Sequence, residues 1–345
     1  MKRLLRFATT RLTDATRAAY GLSSFLYAVA RGRSPAVVER WPGVLDLAAA
    51  ARVAVFAHFD GQGVVHEFVH HYLREIHRAG FAVVFVTNAP RLRAADVERL
   101  APLCALVLRR DNVGRDFGAF KDGIAVIPDL RRVESLLLAN DSVYGPFHDM
   151  GEVVARMSLA EADVWGITDS WERSYHLQSF FLLFGRRALA GAAFARFWRE
   201  LRYVQAKSWI IERYEIGLTR ALMADGLRCR ALCPYREVAT TWLEAVADGL
   251  QSIPSARELS GTRKAFVAGL ADAVAFGIPV NSSHFFWDHL VLRAGCPFIK
   301  RELLRDNPAR VPGVIRWPEV IRAVSKYDTD LIAHHLEQSL RRRAV

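Results

Sequence analysis

The sequence contains little cysteine and no long apolar run, and each shortage excludes a class of protein. Its 345 residues include four cysteines, and their spacing forms neither a zinc cluster nor a disulfide framework. No apolar stretch reaches the roughly 20 residues that a membrane-spanning helix needs. We therefore expect neither a disulfide-stabilised scaffold nor an integral membrane protein. The absence of a secretory leader pattern predicts a reducing, cytoplasmic location.

Apolar residues make up 52% of the chain, aromatic residues 11% and charged residues 24%, which is the composition of a folded domain with a large core. The net charge of +11 is uneven, because residues 1–40 hold eight basic and two acidic side chains. A basic end favours an anionic partner surface, either a membrane or a nucleic acid. These charges are not interleaved with aromatic residues along the chain, so we expect no nucleic-acid partner. A solvated arginine-rich face is the alternative.

Residues 1–45 are predicted to form a basic, amphipathic helical segment. Apolar side chains recur there at steps of three and four, at Leu5, Ala8, Leu12, Ala15, Ala19, Leu22, Leu26 and Val29. Such a helix can lie on the inner face of an anionic cytoplasmic membrane. The other interpretation is a helix that packs on its own domain or on a second subunit. The sequence leaves both open.

Residues 46–310 are predicted to form the main domain, because short apolar strands alternate there with helical patterns. "RVAVFAHF", "FAVVFVTN" and "CALVLRR" have the composition of buried strands, and "GVVHEFVHHYLREIHRAG" has helical spacing. Such alternation predicts an α/β fold with a mainly parallel sheet, which binds ligands at the carboxyl ends of its strands. Residues 311–345 are predicted to be a helical tail with a basic end.

The segment "DNVGRDFGAFKDGI" follows the third of these strands. Asn112 and Gly114 favour a turn that a ligand can approach closely, and Asp116 is predicted to cap the next helix. Arg115 and Lys121 add cations of the kind that bind a diphosphate. The alternative is an ordinary capped loop with solvated charges.

The strand "SLLLAN" ends in three polar residues, Asn140, Asp141 and Ser142. A carboxylate at that position could hold Mg²⁺ or Mn²⁺ against a diphosphate, although one carboxylate is a small ligand set. Farther along, "NSSHFFWDHL" places His284 and Asp288 four residues apart, on one face if the segment is helical. His284 could complete a metal site or contact a phosphate, or it could be a structural histidine.

Five segments together resemble the rhamnan synthesis F family of bacterial polysaccharide proteins: "DNVGRDFGAFKDGI", "LLLANDSVYGPF", "HLQSFFLLFGR", "NSSHFFWDHLV" and "PFIKRELLRDNP". They cover roughly residues 50 to 310. The resemblance implies a glycosyltransferase that acts on surface polysaccharide, often a rhamnosyltransferase with a nucleotide-activated donor. It also implies the A-type glycosyltransferase fold, in agreement with the strand and helix pattern.

A more distant similarity, to inverting family-2 glycosyltransferases, implies roles for individual residues. Their N-x-G turn, A-R-N-x-G helix and D-x-D strand end correspond here to Asn112 with Gly114, to Lys121, Asp122 and Gly123, and to Asn140, Asp141 and Ser142. These residues would bind the donor. Their catalytic base precedes a strand-opening glycine by about eleven residues, which points to Glu215 before Gly226, with Glu212 as the rival.

The segments around "DVWGITDSWE" and "HLQSFFLLFG" resemble strands beside an acceptor pocket, with Trp165, Trp171, His176 and Gln178 as candidate lining residues. Aromatic faces with a few polar groups suit sugar rings, although any one of these aromatics could belong to the core.

The function expected from the resemblance is transfer of a deoxyhexose, namely rhamnose, from a nucleoside diphosphate to a lipid-linked polysaccharide. Glu215 would be the base, and Asp141, Arg115 and Lys121 would serve the diphosphate. Asn140 and Ser142 replace the outer carboxylates of D-x-D, so a non-catalytic binding scaffold with a degenerate transferase fold is the alternative.

Overall fold

The computed structural model describes residues 2–249 and 261–341. The strands are β1 Val37–Pro42, β2 Arg52–His58, β3 Ala82–Thr87, β4 Cys104–Arg110, β5 Ser135–Asn140, β6 Val143–Tyr144, β7 Val164–Ser170, β8 His176–Leu177, β9 Phe181–Gly185, β10 Cys229–Cys233 and β11 Ile299–Lys300.

The helices up to residue 249 are α1 Lys2–Arg31, α2 Glu67–Arg78, α3 Ala94–Leu100, α4 Arg115–Ala125, α5 Met150–Ala155, α6 Arg186–Ala190, α7 Ala192–Glu200, α8 Lys207–Ile210, α9 Ile216–Ala224 and α10 Tyr235–Ala247. A π-helical turn, Ile211–Glu215, joins α8 to α9. The later helices are α11 Gly261–Ala275, α12 Ser282–Phe285, α13 Trp287–Leu292, α14 Arg301–Asp306, α15 Trp317–Val324 and α16 Asp330–Arg341.

The main sheet has the strand order β1-β4-β3-β2-β5-β9-β7-β10, with β8 paired to β7. Strands β4, β3, β2 and β5 run parallel to one another, and β7 runs parallel to β10. Strand β1 is antiparallel to β4, and β9 lies antiparallel between β5 and β7. The prediction of an α/β fold with a mainly parallel sheet is confirmed.

The sheet is covered on both faces, and this explains why its central strands read as continuous apolar runs. In β2, Ala54 and Phe56 face a core that includes side chains of α2, α5 and α10. Val53, Val55 and Ala57 face a second core with α4, α7 and α9. Residues on one strand thus alternate between two helical layers.

Glycine lets helix α4 approach the sheet closely. A Cβ atom on Gly123 would lie 2.3 Å from Cγ1 of Val55, which is far inside van der Waals contact. Any larger residue would push α4 away from β2, and with it the loop at the start of the helix.

Helices α1, α15 and α16 form the predicted helical extensions at the two ends, but Val37–Pro42, which fell within the predicted N-terminal segment 1–45, instead forms β1 of the main sheet. On α1, Ser24 Oγ accepts a hydrogen bond from the backbone N–H of Gln205 at 2.8 Å, and the ring of Phe25 stacks on Trp209 at 4.9 Å. The side chains of Leu5, Ala8, Leu12 and Ala15 lie outside the described part of the stripe. In the described part, Leu22 is 55% and Leu26 58% exposed, so this end of the stripe points elsewhere. The helix therefore packs on its own domain through a different face from the stripe.

In the part of the chain that the structure describes, no helix is both long enough and apolar enough to cross a membrane.

Candidate active site

Polar side chains collect at the carboxyl edge of the sheet, where β5 ends. The side chain of Asp141, directly after β5, is 11% exposed. Its Oδ2 accepts hydrogen bonds from Arg301 Nη1 at 2.8 Å and from the backbone N–H of Phe59 at 3.4 Å. Arg301 Nη1 also donates to the backbone carbonyl of Asp141 at 2.5 Å. This aspartate is thus held in an ion pair at the point where the sheet opens.

Arg301 reaches Asp141 because a short antiparallel ribbon carries it there. Strand β11 pairs with β6, so that Lys300 lies opposite Val143. The backbone N–H of Arg301 then donates to the carbonyl of Ser142 at 2.9 Å. Two cations from the segment "PFIKRELLRDNP" are thereby added to the site, although residue-by-residue reasoning from the sequence gave them no role. The resemblance of that segment to the family was the available signal.

Asn140 joins the end of β5 to the start of α4. Its Nδ2 donates to Asp116 Oδ2 at 2.9 Å, and its Oδ1 accepts from the hydroxyl of Ser142 at 2.6 Å. The prediction that Asp116 caps α4 is wrong. The capping position is Gly114, which has a left-handed φ of 74°, and Asp116 is the second residue of the helix. Its carboxylate is therefore turned toward Asn140 instead of the backbone of its own helix.

Opposite charges crowd this edge, and burial shifts the pKa values of two of the charged groups. Burial, Asp141 and Glu215 raise the pKa of Asp116 to about 6, against the opposing effect of Lys300. Burial lowers the pKa of Lys300 to about 8, although Glu215 and Asp116 favour its charged form. We call Asp116, Asp141, Glu215, Lys300 and Arg301 the charge cluster.

Glu215 enters the cluster from the π-helical turn before α9. Its Oε1 accepts a hydrogen bond from the backbone N–H of Ser179 at 2.8 Å, just ahead of β9. Because β9 is antiparallel to β5, its first residues lie at the carboxyl edge beside Asn140. Glu212, the rival, pairs with exposed Arg173 at 2.6 Å and is itself 51% exposed. The structure thus brings Glu215 into the cluster and leaves Glu212 on the surface.

The predicted donor loop is fixed by the segment after α7. A Cβ on Gly114 would lie 3.0 Å from Tyr203 Cα, so this position needs glycine for space as well as for its φ angle. Arg115, with a φ of 48°, donates from Nε to the carbonyl of Gln205 at 2.9 Å. The Gln205 side chain donates in turn to the carbonyl of Asn112.

Lys121 and Asp122, predicted to bind the donor, form hydrogen bonds with other segments of the protein. Asp122 forms an ion pair with Arg110 at 2.7 Å in which the two side chains are 1% and 0% exposed. It also accepts from the N–H of Ala36 at 3.1 Å and from the hydroxyl of Tyr203. Lys121 Nζ donates to the carbonyl of Leu201 at 2.5 Å, and burial lowers its pKa to about 8. Both residues fasten α4 to its surroundings.

The acceptor candidates are divided between the core and a groove. Trp165 is 3% exposed and donates to the carbonyl of Ser158 at 3.0 Å. Gln178 accepts from the hydroxyl of Thr168 at 2.6 Å. His176 hydrogen-bonds the carbonyl of Ser174 at 2.9 Å. Trp171 lines a groove of about 430 Å³ beside α10.

His284 and Asp288 do not share one helix. The backbone breaks at Phe286, between α12 and α13, so the predicted common helical face is not formed. Burial and the nearby Lys300 and Lys207 lower the pKa of His284 to about 4. His284 therefore lies next to the charge cluster, on its cationic side.

A divalent cation fits these residues poorly. Within residues 2–249 and 261–341, no three His, Cys, Asp or Glu side chains converge as metal ligands. Asp141 already faces a guanidinium, and His284 has lysines as neighbours. A metal ion at either position would meet fixed positive charge.

Comparison with known proteins now adds the family. The model of rhamnan synthesis protein F matches residues 83–245. A virulence protein, VirA of Vibrio anguillarum, is 30% identical over 234 residues, which are 66% of this chain and 72% of that protein. The chain belongs to the rhamnan synthesis F family. A protein of Sinorhizobium fredii is 28% identical over 188 residues, and the match spans about half of each chain.

Solved structures also match this chain, at low sequence identity. The galactosyltransferase LgtC, in complex with donor and acceptor sugar analogues, is 12% identical with a TM-score of 0.32, over 81% of this chain and 99% of LgtC. A mannosyltransferase from Pyrobaculum calidifontis, in complex with GDP-mannose and Mn²⁺, is 11% identical with a TM-score of 0.30, over 96% and 92% of the two chains. Membership of the rhamnan synthesis F family supports sugar transfer in polysaccharide synthesis, with the sugar left open.

Proposed function

We propose that this rhamnan synthesis F protein transfers a deoxyhexose, rhamnose, from a nucleoside diphosphate to a growing, lipid-linked surface polysaccharide. The observation that carries the proposal is the charge cluster at the carboxyl edge of the sheet. It combines carboxylates that can take a proton with cations that can bind a diphosphate, and sugar transfer from a nucleotide donor needs both.

The cations of the cluster would hold the leaving group. As the bond from the sugar to the diphosphate breaks, negative charge grows on the diphosphate oxygens, and Lys300 and Arg301 provide fixed positive charge. Arg115 is the first residue of α4, and its positive charge acts to lower the pKa of Asp116. Asp141 would orient Arg301 through their 2.8 Å ion pair.

Glu215 would accept the proton of the attacking hydroxyl. A sugar hydroxyl is a weak nucleophile at neutral pH, so a fixed carboxylate beside it accelerates the attack. The hydrogen bond from Ser179 orients one oxygen of Glu215 against the sheet edge. Asp116, with its pKa near 6, is the second carboxylate in reach of the same space.

No step is assigned to a metal ion, because Asp141 and His284 face cations. The donor-binding roles predicted for Asn112, Gly114, Asn140 and Ser142 stay in the proposal as the walls of the donor site. Lys121 and Asp122 are reassigned to the support of α4, because their polar atoms are taken up by Leu201, Arg110 and Tyr203.

A donor panel tests the function directly. The purified protein is incubated with the UDP, GDP and dTDP forms of common sugars and with a lipid-linked saccharide, and transfer is measured by mass spectrometry. Melting points with each nucleotide report binding separately, because a ligand of the native state raises the melting point. Binding without transfer across the panel would favour the scaffold alternative.

We also propose that α1 rests on an anionic membrane, where a lipid-linked acceptor would be found. The stripe residues Leu22, Leu26 and Val29 are 55%, 58% and 41% exposed, beside a strongly basic sequence. Removing the stripe by Leu22→Ser with Leu26→Ser keeps the packed face intact and should abolish sedimentation with anionic liposomes. The matched control, Phe276→Ser with Ile315→Ser, removes two exposed apolar side chains elsewhere and should not. Equal sedimentation of the two variants would contradict this contact.

A further inference from the structure

A second cationic surface lies between α1 and the π-helical turn, outside the charge cluster. It is a groove of about 800 Å³. Its lining includes four cationic side chains, Arg115, Arg173, Lys207 and Arg213, and one carboxylate, Glu212. The groove therefore carries a strong excess of positive charge, which favours an anionic ligand.

The cations of the groove stay accessible even where they have partners. Arg173 is 56% exposed in its pair with Glu212, and Lys207 is 62% exposed in its 3.4 Å pair with Glu302. Exposed pairs of this kind are weak, so an incoming anion can share or replace the carboxylate. The guanidinium of Arg213 lies 5.5 Å from the ring centre of Trp209, and both residues line the groove.

The groove links two regions that already have roles. Of its lining residues, Arg115 directly precedes Asp116 in the sequence, and Lys207 is close enough to contribute to the lowered pKa of Lys300. Three further lining residues, Ala18, Tyr20 and Gly21, belong to α1, the helix whose exposed apolar residues include Leu22 and Leu26. A ligand in the groove would extend from the charge cluster toward the membrane helix.

We propose that this groove binds the diphosphate of the lipid-linked acceptor. The inference rests on the proposed function and adds a site to it. In a lipid-linked saccharide, the diphosphate stands between the sugar chain and the lipid. The protein offers matching surfaces: the charge cluster for the sugar chain, the cations of the groove for the diphosphate, and the exposed apolar residues of α1 for the lipid.

Binding experiments can test the groove without measuring transfer. Farnesyl diphosphate and farnesol are titrated by calorimetry, and UDP, GDP and dTDP are titrated in parallel as probes of the donor site. The groove variant is Arg173→Gln with Arg213→Gln. The matched control is Arg186→Gln with Arg199→Gln, which removes two exposed arginines that are paired with carboxylates, as Arg173 is.

We expect the groove variant to bind farnesyl diphosphate about tenfold more weakly than the wild type does, because two charges near the anion are lost. The control should stay within about twofold, farnesol should bind alike in all three proteins, and the nucleoside diphosphate should bind the groove variant as it binds the wild type. Lys207→Gln should show the same selective loss if the double variant has a lowered melting point.

Two results would overturn the inference while leaving the proposed function intact. One is that farnesyl diphosphate binds the wild type and both groove variants with equal affinity, or binds none of them, while nucleotide binding is retained. The other is loss of nucleoside diphosphate affinity in the groove variants, which would assign the groove to the donor. Failure of every nucleotide to bind the wild type would instead count against the proposed function.

Discussion

Two arginine–aspartate pairs lie near the carboxyl edge of the sheet, and they differ in their surroundings. Arg110 and Asp122 are 0% and 1% exposed, and a backbone amide and a tyrosine hydroxyl complete the hydrogen bonds of the aspartate. Arg301 and Asp141 are 17% and 11% exposed, next to other charged groups with shifted pKa values. A closed pair fixes a helix, whereas an open pair among unbalanced charges can exchange partners with a ligand.

The largest expected effect tests the closed pair. Asp122→Ala leaves Arg110 buried without its counter-charge, so the free energy of unfolding should fall by about 3–5 kcal/mol. Asp141→Ala should cost less than Asp122→Ala does, because the Arg301 side chain is 17% exposed and can be partly hydrated. Urea unfolding of both variants measures the difference. Equal losses would mean that the two pairs have the same structural role.

The open pair should matter for transfer instead. Without Asp141, Arg301 loses the contact that orients it, and we expect transfer to fall by roughly a hundredfold or more. Chelation of metals by EDTA should have a much smaller effect on the wild type. The initial rate of transfer is measured with and without EDTA. Full activity of Asp141→Ala would remove this residue from the site.

Glu215→Gln should lower transfer by on the order of a hundredfold, since the acceptor proton then has no carboxylate to receive it. The amide keeps the size of the side chain, so donor affinity and melting point should hardly change. Glu161→Gln is the control, because this glutamate is exposed and paired with Arg230. If Glu215→Gln is as active as the control while Glu212→Gln or Asp288→Asn is not, another residue is the base.

The smallest effect concerns pH. Asp116 is the second carboxylate in reach of the attacking hydroxyl. It loses its proton near pH 6, so kcat/KM should rise through about pH 6. Lys300 must keep its proton to hold the diphosphate, so kcat/KM should fall through about pH 8. Lys300→Arg retains the charge at high pH and should move the alkaline limb upward. An unchanged alkaline limb would show that Lys300 does not control it.

The sequence was sufficient for the parts of the fold that depend on local pattern. The apolar runs and helical spacings predicted β2, α2, β3 and β4 and the mainly parallel sheet, because each pattern is contained in a few consecutive residues. The antiparallel direction of β9 was not predicted, since an apolar run looks the same in either direction.

Parts of the site depend on contacts between distant segments, and pattern could not supply them. Arg301 and Asp141 are 160 positions apart, and the pairing of β11 with β6 brings them together. The placement of Asp122 depends on Arg110, Ala36 and Tyr203, which come from three other segments. The sequence shows that an aspartate stands at a given helical position, but it does not show whether the carboxylate faces a ligand or a buried arginine.

The ribbon of β6 and β11 also determines when, during synthesis of the chain, the charge cluster can be completed. Ribosomes make the chain from its N-terminus, so the ends of β2 and β5 emerge long before Lys300 and Arg301. The hydroxyl of Tyr144, on β6, is hydrogen-bonded at 2.7 Å to Nδ1 of His335, on α16. The carboxylates Asp116, Asp141 and Glu215 of the charge cluster are therefore synthesised before Lys300 and Arg301, which join them once β11 has paired with β6.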